Sequence, residues 1–367
     1  FQAEDGIRDV ERSRGLGDVY KRQAIKQRFD AFWNREIIDR PLIRITAPKA
    51  KRVKMSLPKP ERMEDRWISI EYVVRKAELK LESTFFLGDA IPFYMPNLGP
   101  DSFTAFLGAE LTFKSEDTSW AEPFLDDLSE YKPVLREDNK WWRIMNDLLD
   151  AFCEVAKGRF MIGIPDIHYG GDSLVAAIGA QKLIRCLFTQ PDDVKRLIRK
   201  LTEICRIVFD RYYEKISHIQ DGSITWIPAY SRGKFFALQD DFSGLVSPRM
   251  FEEFFVEEQE ILSKYLDNSI FHLDGPMALS NLDRLLQIES LDGIQWVPGA
   301  GAKPMSEWLD VCRKILDAGK CLQITCMPEE VDFLLSNLKH EGLFISTHCR
   351  SEKEAREVLK IAERHGK

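Results

Sequence analysis

From residue 24 onward, short apolar runs alternate with longer stretches whose apolar residues recur at spacings of three and four. The short runs read as strands: PLIRITAP (41–48), AIPFYMPNLG (90–99), FMIGIPD (160–166), GSITWIPAY (222–230), SIFHLDGP (269–276), GIQWVP (293–298), CLQITCMP (321–328) and LFISTHC (343–349). A further run, KFFALQDDF (234–242), fits either a ninth strand or the loop edge of the fourth unit. Helical periodicity is clearest in QKLIRCLF, DDVKRLIRKLTEICRIVFDRYY, PRMFEEFFVEEQEILSKYL, MSEWLDVCRKILDAG, PEEVDFLLSNL and EKEAREVLKIAERHG. Pro191, Pro248 and Pro328 fall near helix starts, and Gly319 and Gly342 just past helix ends, where a missing N–H and a free φ cost least. Strands alternating with helices predict a parallel sheet. Eight such units predict a single α/β domain over 24–367, a closed (β/α)8 TIM barrel. Long insertions at 49–85 and 100–150, after the first two strands, would form a partial cap over the carboxyl-end face, where barrel sites form.

The opening stretch QAEDGIRDVERSRGLGDVYKRQ (2–23) fits neither period. QAEDGIRD can be encoded CAAGCAGAAGACGGCATACGAGAT, a sequencing-library adapter, and SRGLGDVYKRQ by the tail of a transposon-based adapter. Residues 1–23 are therefore expected to be translated library DNA, a disordered tail without functional weight.

Charge and cysteine usage narrow the function classes. The chain of 367 residues carries a formal charge of −7. Residues 1–23 contribute five acids and five bases, so the acidic balance belongs to the rest. Nucleic acid is excluded as a partner, because phosphate binding needs a basic surface. Seven cysteines without framework spacing predict free thiols in a reducing, cytoplasmic setting. No apolar run approaches the roughly 18 residues of a membrane span.

Polar residues collect at the expected strand ends: Asp89 and Tyr94, Asp166 and His168, Asp240 and Asp241, His272 and Asp274, Trp296, Cys326, and His348 with Cys349. His272 and Asp274 stand two apart on one strand and so share a face. With Cys349 they would offer N, O and S donors, a three-ligand zinc site with one open position, and Cys326 is a reserve ligand. The bland alternative is that His272 hydrogen-bonds Asp274 while Cys349 packs as a small hydrophobe. Asp89, set between FFLG and an apolar run, reads as a catalytic acid, a cation holder or a loop aspartate. Of Asp240 and Asp241, adjacent on an extended segment, only one faces the centre; Asp241 is the catalytic candidate. Trp226, Tyr230 and Trp296 would line a pocket for a flat ligand, beside Tyr94 and His348. The GGD at 170–172 reads as a loop capping the next helix, since a full dinucleotide fingerprint is absent.

The strings DDFSGLVSPRMFEEFF, FHLDG, GIQW and STHC, together with GDAIPFYMPNLGP and PDIHYGGDSLVAAIGAQKLI followed by PDDV, resemble the uroporphyrinogen decarboxylase superfamily over about residues 25–365. That resemblance implies a (β/α)8 barrel with one of two activities. One branch decarboxylates uroporphyrinogen without a cofactor, and Asp89 matches its catalytic aspartate while Asp241 falls near a substrate contact. The other branch transfers methyl groups between corrinoid proteins and thiols on a zinc held by His-x-Cys and a later Cys. His272 and Cys349 match that pattern, and Asp274 stands where the first cysteine would be. The decarboxylase R-x-x-G-R motif is missing from RPLIRITAPK, where Arg44 is the only nearby arginine candidate. The resemblance thus favours zinc-dependent methyl transfer from a corrinoid partner to a small acceptor. The alternatives are a decarboxylase and a non-catalytic corrinoid- or ligand-binding barrel.

Overall fold

The computed structural model describes residues 22–51 and 57–366. Most of the expected adapter-derived tail therefore lies outside the described residues; Arg22 and Gln23 are helical, in α1 (22–33). The main sheet has seven strands: β1 (Leu42–Pro48), β2 (Thr84–Gly88), β7 (Phe235–Leu238), β8 (Asn268–Asp274), β9 (Gly293–Val297), β10 (Cys321–Cys326) and β11 (Leu343–His348). Their order is β2-β1-β11-β10-β9-β8-β7, all pairs parallel except β1 with β2. Between its edges lie β3 (Phe93–Tyr94) and β6 (Met161–Ile162), paired in parallel, and a separate antiparallel hairpin of β4 (Leu111–Thr112) and β5 (Trp120–Ala121).

The expected eight-stranded ring is thus not closed as a hydrogen-bonded ladder. Three expected strands account for the difference; of 160–166 only Met161–Ile162 pairs, with β3 outside the main sheet. In 90–99, Pro92 and Pro96 have no N–H to donate, so pairing shrinks to two residues. The preceding TFFLG pairs antiparallel with β1 instead. Gly88 ends that strand at φ +64, where an added Cβ would lie 2.5 Å from the Ile43 carbonyl oxygen. In 222–230 only an isolated Ser223–Ser231 bridge forms, with Ile164 N–H donating to the Ile224 carbonyl at 2.8 Å. The alternative run KFFALQDDF supplies β7.

Strand period explains the layers. On β1, Ile43, Ile45 and Ala47 join the large core shared with the helices, whereas Leu42 joins a second cluster. The same split separates Phe236 and Leu238 from Phe235 and Ala237, Phe271 and Leu273 from Ile270, Leu322 and Ile324 from Cys321, and Ile345 from Phe344. The second cluster is the floor inside the sheet's curve. Helix α1 closes it with Ile25, Phe29 and Phe32, Phe29 meeting Phe344 edge-on at 5.3 Å. One step further along each strand, the inner face turns polar.

The insertions form walls. After β1 come α2 (Asp65–Ile68) and α3 (Ile70–Ser83); after β3 come α4 (Ser102–Phe106), the β4–β5 hairpin and α5 (Lys140–Ala156). Asn139 caps α5, accepting from the Trp141 and Trp142 amides at 2.9 Å, and the helix buries Trp141, Trp142, Met145 and Phe152. The remaining long helices include α6 (Gly170–Ile178), α7 (Ala180–Thr189), α8 (Pro191–Ser217), α9 (Pro248–Phe254) and α10 (Val256–Tyr265). Among the described residues no helix is long and apolar enough to cross a membrane.

Candidate active site at the carboxyl ends of the strands

A cavity of about 750 Å³ opens at the carboxyl ends of β1 and β11. Its floor carries Arg44, Thr46 and His348; its walls carry Tyr94 and Trp226, with Arg66 and Trp67 of α2, Lys76 and Lys80 of α3, and Glu116 of the hairpin turn. Arg44 and Thr46 point inward because they continue the face of Leu42, two residues at a time. Thr46 Oγ1 lies 3.0 Å from His348 Nδ1 on the neighbouring strand. Glu116 receives Lys59 (2.7 Å), Arg66 (3.0 Å) and Lys76 (3.4 Å), and thereby ties the hairpin to α2 and α3. Burial lifts the Tyr94 phenol to about 12, and its ring stacks on Phe152.

Arg44 is the unusual member. Its guanidinium is half-buried with Nε enclosed, no carboxylate reaches it among the described residues, and its Nε has no hydrogen-bond partner. Burial alone pulls its pKa down to about 10.

Beside the cavity, Trp226 meets the His272 ring edge-on at 4.8 Å and donates its Nε1–H to Asp166 Oδ1 at 3.2 Å. Gln239 also donates to Asp166 Oδ1 (3.2 Å), and Asp166 Oδ2 lies 2.9 Å from His168 Nε2. Burial works against charge on His168, but Asp166, Asp172 and Asp241 overcome it and raise its pKa to about 9. It is an imidazolium at neutral pH. Burial and the nearby Asp241 raise Asp172 to about 6, while it accepts from the Asp241 and Phe242 amides at 3.0 and 2.9 Å.

The sequence-predicted residues separate into groups. Tyr94, Trp226 and His348 line the cavity, and His272 stands against Trp226. Asp241 is exposed, close enough to His168 and Asp172 to act on both electrostatically; Asp240 is the buried one of the pair. Asp89 is elsewhere: it follows β2, which runs antiparallel, and therefore lies at the amino end beside Ile43. It accepts from Arg40 at 2.6 and 2.9 Å, from Arg28 at 3.2 Å and from the Ile43 amide at 3.0 Å. Both its oxygens are engaged in this ion cluster, away from the cavity. Tyr230 belongs to the floor beneath the site, edge-on to Phe29, and Trp296 faces the helices, packed on Trp308 at 5.2 Å. Neither lines the cavity.

The expected zinc ligands do not converge. His272 and Asp274 share the inner face, whereas Cys349 follows inward-facing His348 and so turns outward into the helix-facing core. Its electrostatic neighbours are Glu354, Glu329 and Cys326, and burial lifts its thiol to about 11. Cys326 faces the same outer core. Among the described residues no three His, Cys, Asp or Glu side chains are grouped to hold a metal ion. The GGD at 170–172 begins α6 rather than a loop. Gly170 sits at φ +52, and a Cβ there would meet the Glu258 carboxylate at 1.9 Å.

Comparison with known proteins finds a similar fold. A methyltransferase from Methanosarcina mazei superposes with a TM-score of 0.59 over 93% of this chain and 98% of that one, at 11% identity. No family model matches the sequence, and no curated protein matches it.

Proposed function

We propose that this chain is an enzyme of the uroporphyrinogen decarboxylase superfamily, a distorted (β/α)8 barrel, that transfers a methyl group between a corrinoid protein partner and a small anionic substrate. The setting proposed is the cytoplasm. Arg44 is the observation that carries the reading: a half-buried guanidinium with its Nε enclosed and no counter-ion among the described residues, facing a cavity large enough for a small molecule. Leaving a buried charge unpaired costs several kcal/mol, which an arriving carboxylate, sulfonate or phosphate would recover through paired N–H donors. Lys76, Lys80 and Arg66 add positive charge along the wall, only part of it answered by Glu116.

Methyl transfer is favoured over decarboxylation on two counts. The fold is similar to that of a methyltransferase, and the aspartate that decarboxylation would require is consumed by Arg40 and Arg28. The trio His272, Asp274 and Cys349 is not proposed as a zinc site, because Cys349 faces the opposite side of the sheet from His272 and Asp274.

Calorimetric titration with small carboxylates, sulfonates, thiol acids and phosphates tests the reading, followed by turnover with a methylated corrinoid. Wild-type protein should bind at least one anion class, and Arg44→Leu should weaken that binding at least about tenfold, the worth of one charged hydrogen bond. Equal affinity in the variant, or no anion bound at all, would reject it. Binding without turnover from any methyl donor would favour a non-catalytic ligand-binding barrel.

A further inference from the structure

Four side chains form a hydrogen-bonded chain across four adjacent strands of the inner face, one layer above the apolar floor. His272 Nδ1 on β8 lies 2.6 Å from Gln295 Oε1 on β9. Gln295 Nε2 donates to Gln323 Oε1 on β10 at 2.5 Å. Gln323 Nε2 donates to the Ile324 carbonyl at 2.9 Å and to Ser346 Oγ on β11 at 3.3 Å. Strand pairing sets this register, since His272 pairs with Gln295 and Gln295 with Gln323. Gln295 is 6% exposed and Gln323 is fully buried, so water does not supply partners to the Gln323 amide.

The polarity of the chain is decided at its far end. A backbone carbonyl can only accept, so the Gln323 atom facing Ile324 must be the NH₂ group. The Gln323 oxygen then faces Gln295, which must present its own NH₂ there and turn its oxygen toward His272. That oxygen can only accept, so the imidazole nitrogen facing it carries the proton. A reversed chain would set two acceptors against each other at 2.9 Å. The Thr46–His348 contact contains no such anchor, because a hydroxyl both donates and accepts.

We infer that Gln295 and Gln323 are positioning residues that fix His272 in the Nδ1–H tautomer, leaving its Nε2 lone pair as the proton acceptor of the site. No protein group bonds Nε2 among the described residues, and the ring stands partly exposed against Trp226, a cavity wall. In the step this provides, Nε2 takes the proton of an acidic substrate group such as a thiol. The electron pair stays on the substrate, and the new imidazolium keeps its Nδ1–H bond to Gln295. His168 does not substitute for it, since its ion contact with Asp166 keeps it already protonated at neutral pH. The inference rests on reading this mouth as the reaction site, but its test needs no substrate.

The six histidines make nitrogen NMR of the ¹⁵N-histidine-labelled chain practical, with His272→Gln assigning the signal. In alkaline buffer, where imidazoles are neutral, His272 should show a pyridine-type Nε2 and a pyrrole-type Nδ1. Gln323→Leu removes the anchor and frees the Gln295 amide to turn, so the His272 signals should move to the averaged pattern of mixed tautomers while other histidines stay unchanged. Gln295→Leu should do the same, and serves if the first variant does not fold. A pyrrole-type Nε2 in the wild-type protein would overturn the assignment, as would a His272 pattern unchanged in both variants. Failure here leaves the Arg44 binding result standing, and loss of anion binding leaves the tautomer result standing.

Discussion

Two ionic sites sit beside neighbouring residues of one strand and could hardly be more different. At the amino end, Asp89 has every acceptor position answered by Arg40, Arg28 and the Ile43 amide. One residue on from Ile43, Arg44 is half-buried, its Nε enclosed, and no anion meets it among the described residues. A satisfied buried charge is part of the scaffold, because its neighbours are arranged for it alone. An unpaired one that faces a cavity is where the proposed anion would find its partner.

The comparison breaks most visibly at Asp89. Asp89→Asn strands Arg40 without its carboxylate, while Arg28 keeps Asp39, and should cost about 3–5 kcal/mol of stability in urea unfolding, the range for breaking a buried pair from one side. Anion affinity, measured on the folded fraction, should not change. Arg44→Leu is the converse: stability held or slightly raised, anion binding weakened by about 1.5–3 kcal/mol, the worth of hydrogen bonds to a charged group. A protein in which Arg44→Leu unfolds while Asp89→Asn does not would invert the assignment of the two sites.

His168 sharpens the picture from the pH side. Its folded pKa of about 9 lies above the free value, so its pairing stabilises the fold fully below about pH 6.5 and is lost as pH rises through 9. Unfolding free energy should therefore fall by on the order of 1–3 kcal/mol between pH 6.5 and 9.5, and His168→Gln should flatten that slope. The smallest effect belongs to Cys349. Cys349→Ala should leave bound metal unchanged in elemental analysis and cost only about 1 kcal/mol, and the wild-type thiol should resist alkylation at neutral pH. Loss of stoichiometric zinc in that variant would restore the three-ligand reading.

Much of this molecule is legible in its sequence. Period-two runs mark β1 and β8 to β11 to within a residue or two, the open run 234–242 contains β7, and period 3.6 with flanking Pro and Gly marks α7 to α10 and the helices at 309–317, 331–337 and 352–364. Tyr94 and His348 are recognisable as strand-end residues and Trp226 as a pocket aromatic, and all three line the cavity. Three features mislead. Proline-containing apolar runs at 90–99, 160–166 and 222–230 look like strands although their backbone barely pairs. Asp89 looks like a strand-end acid because β2 is not expected to run antiparallel. Cys349 looks like a partner for His272 because a strand-end position does not say which face its side chain takes. The relay residues carried a signal that went unread: a single glutamine inside each of two apolar strands, GIQW and CLQIT, on the inward parity.

The sequence alone determined the elements and, through alternation, which residues of each strand share a side, because those depend only on local backbone geometry and burial. Only the tertiary structure decided which side is the inside, which strand end is the mouth, and that among the described residues no carboxylate meets Arg44 where Asp89 has three partners. Those are properties of register and strand direction, set by contacts between segments up to three hundred residues apart, such as Thr46 with His348, and no local pattern encodes them.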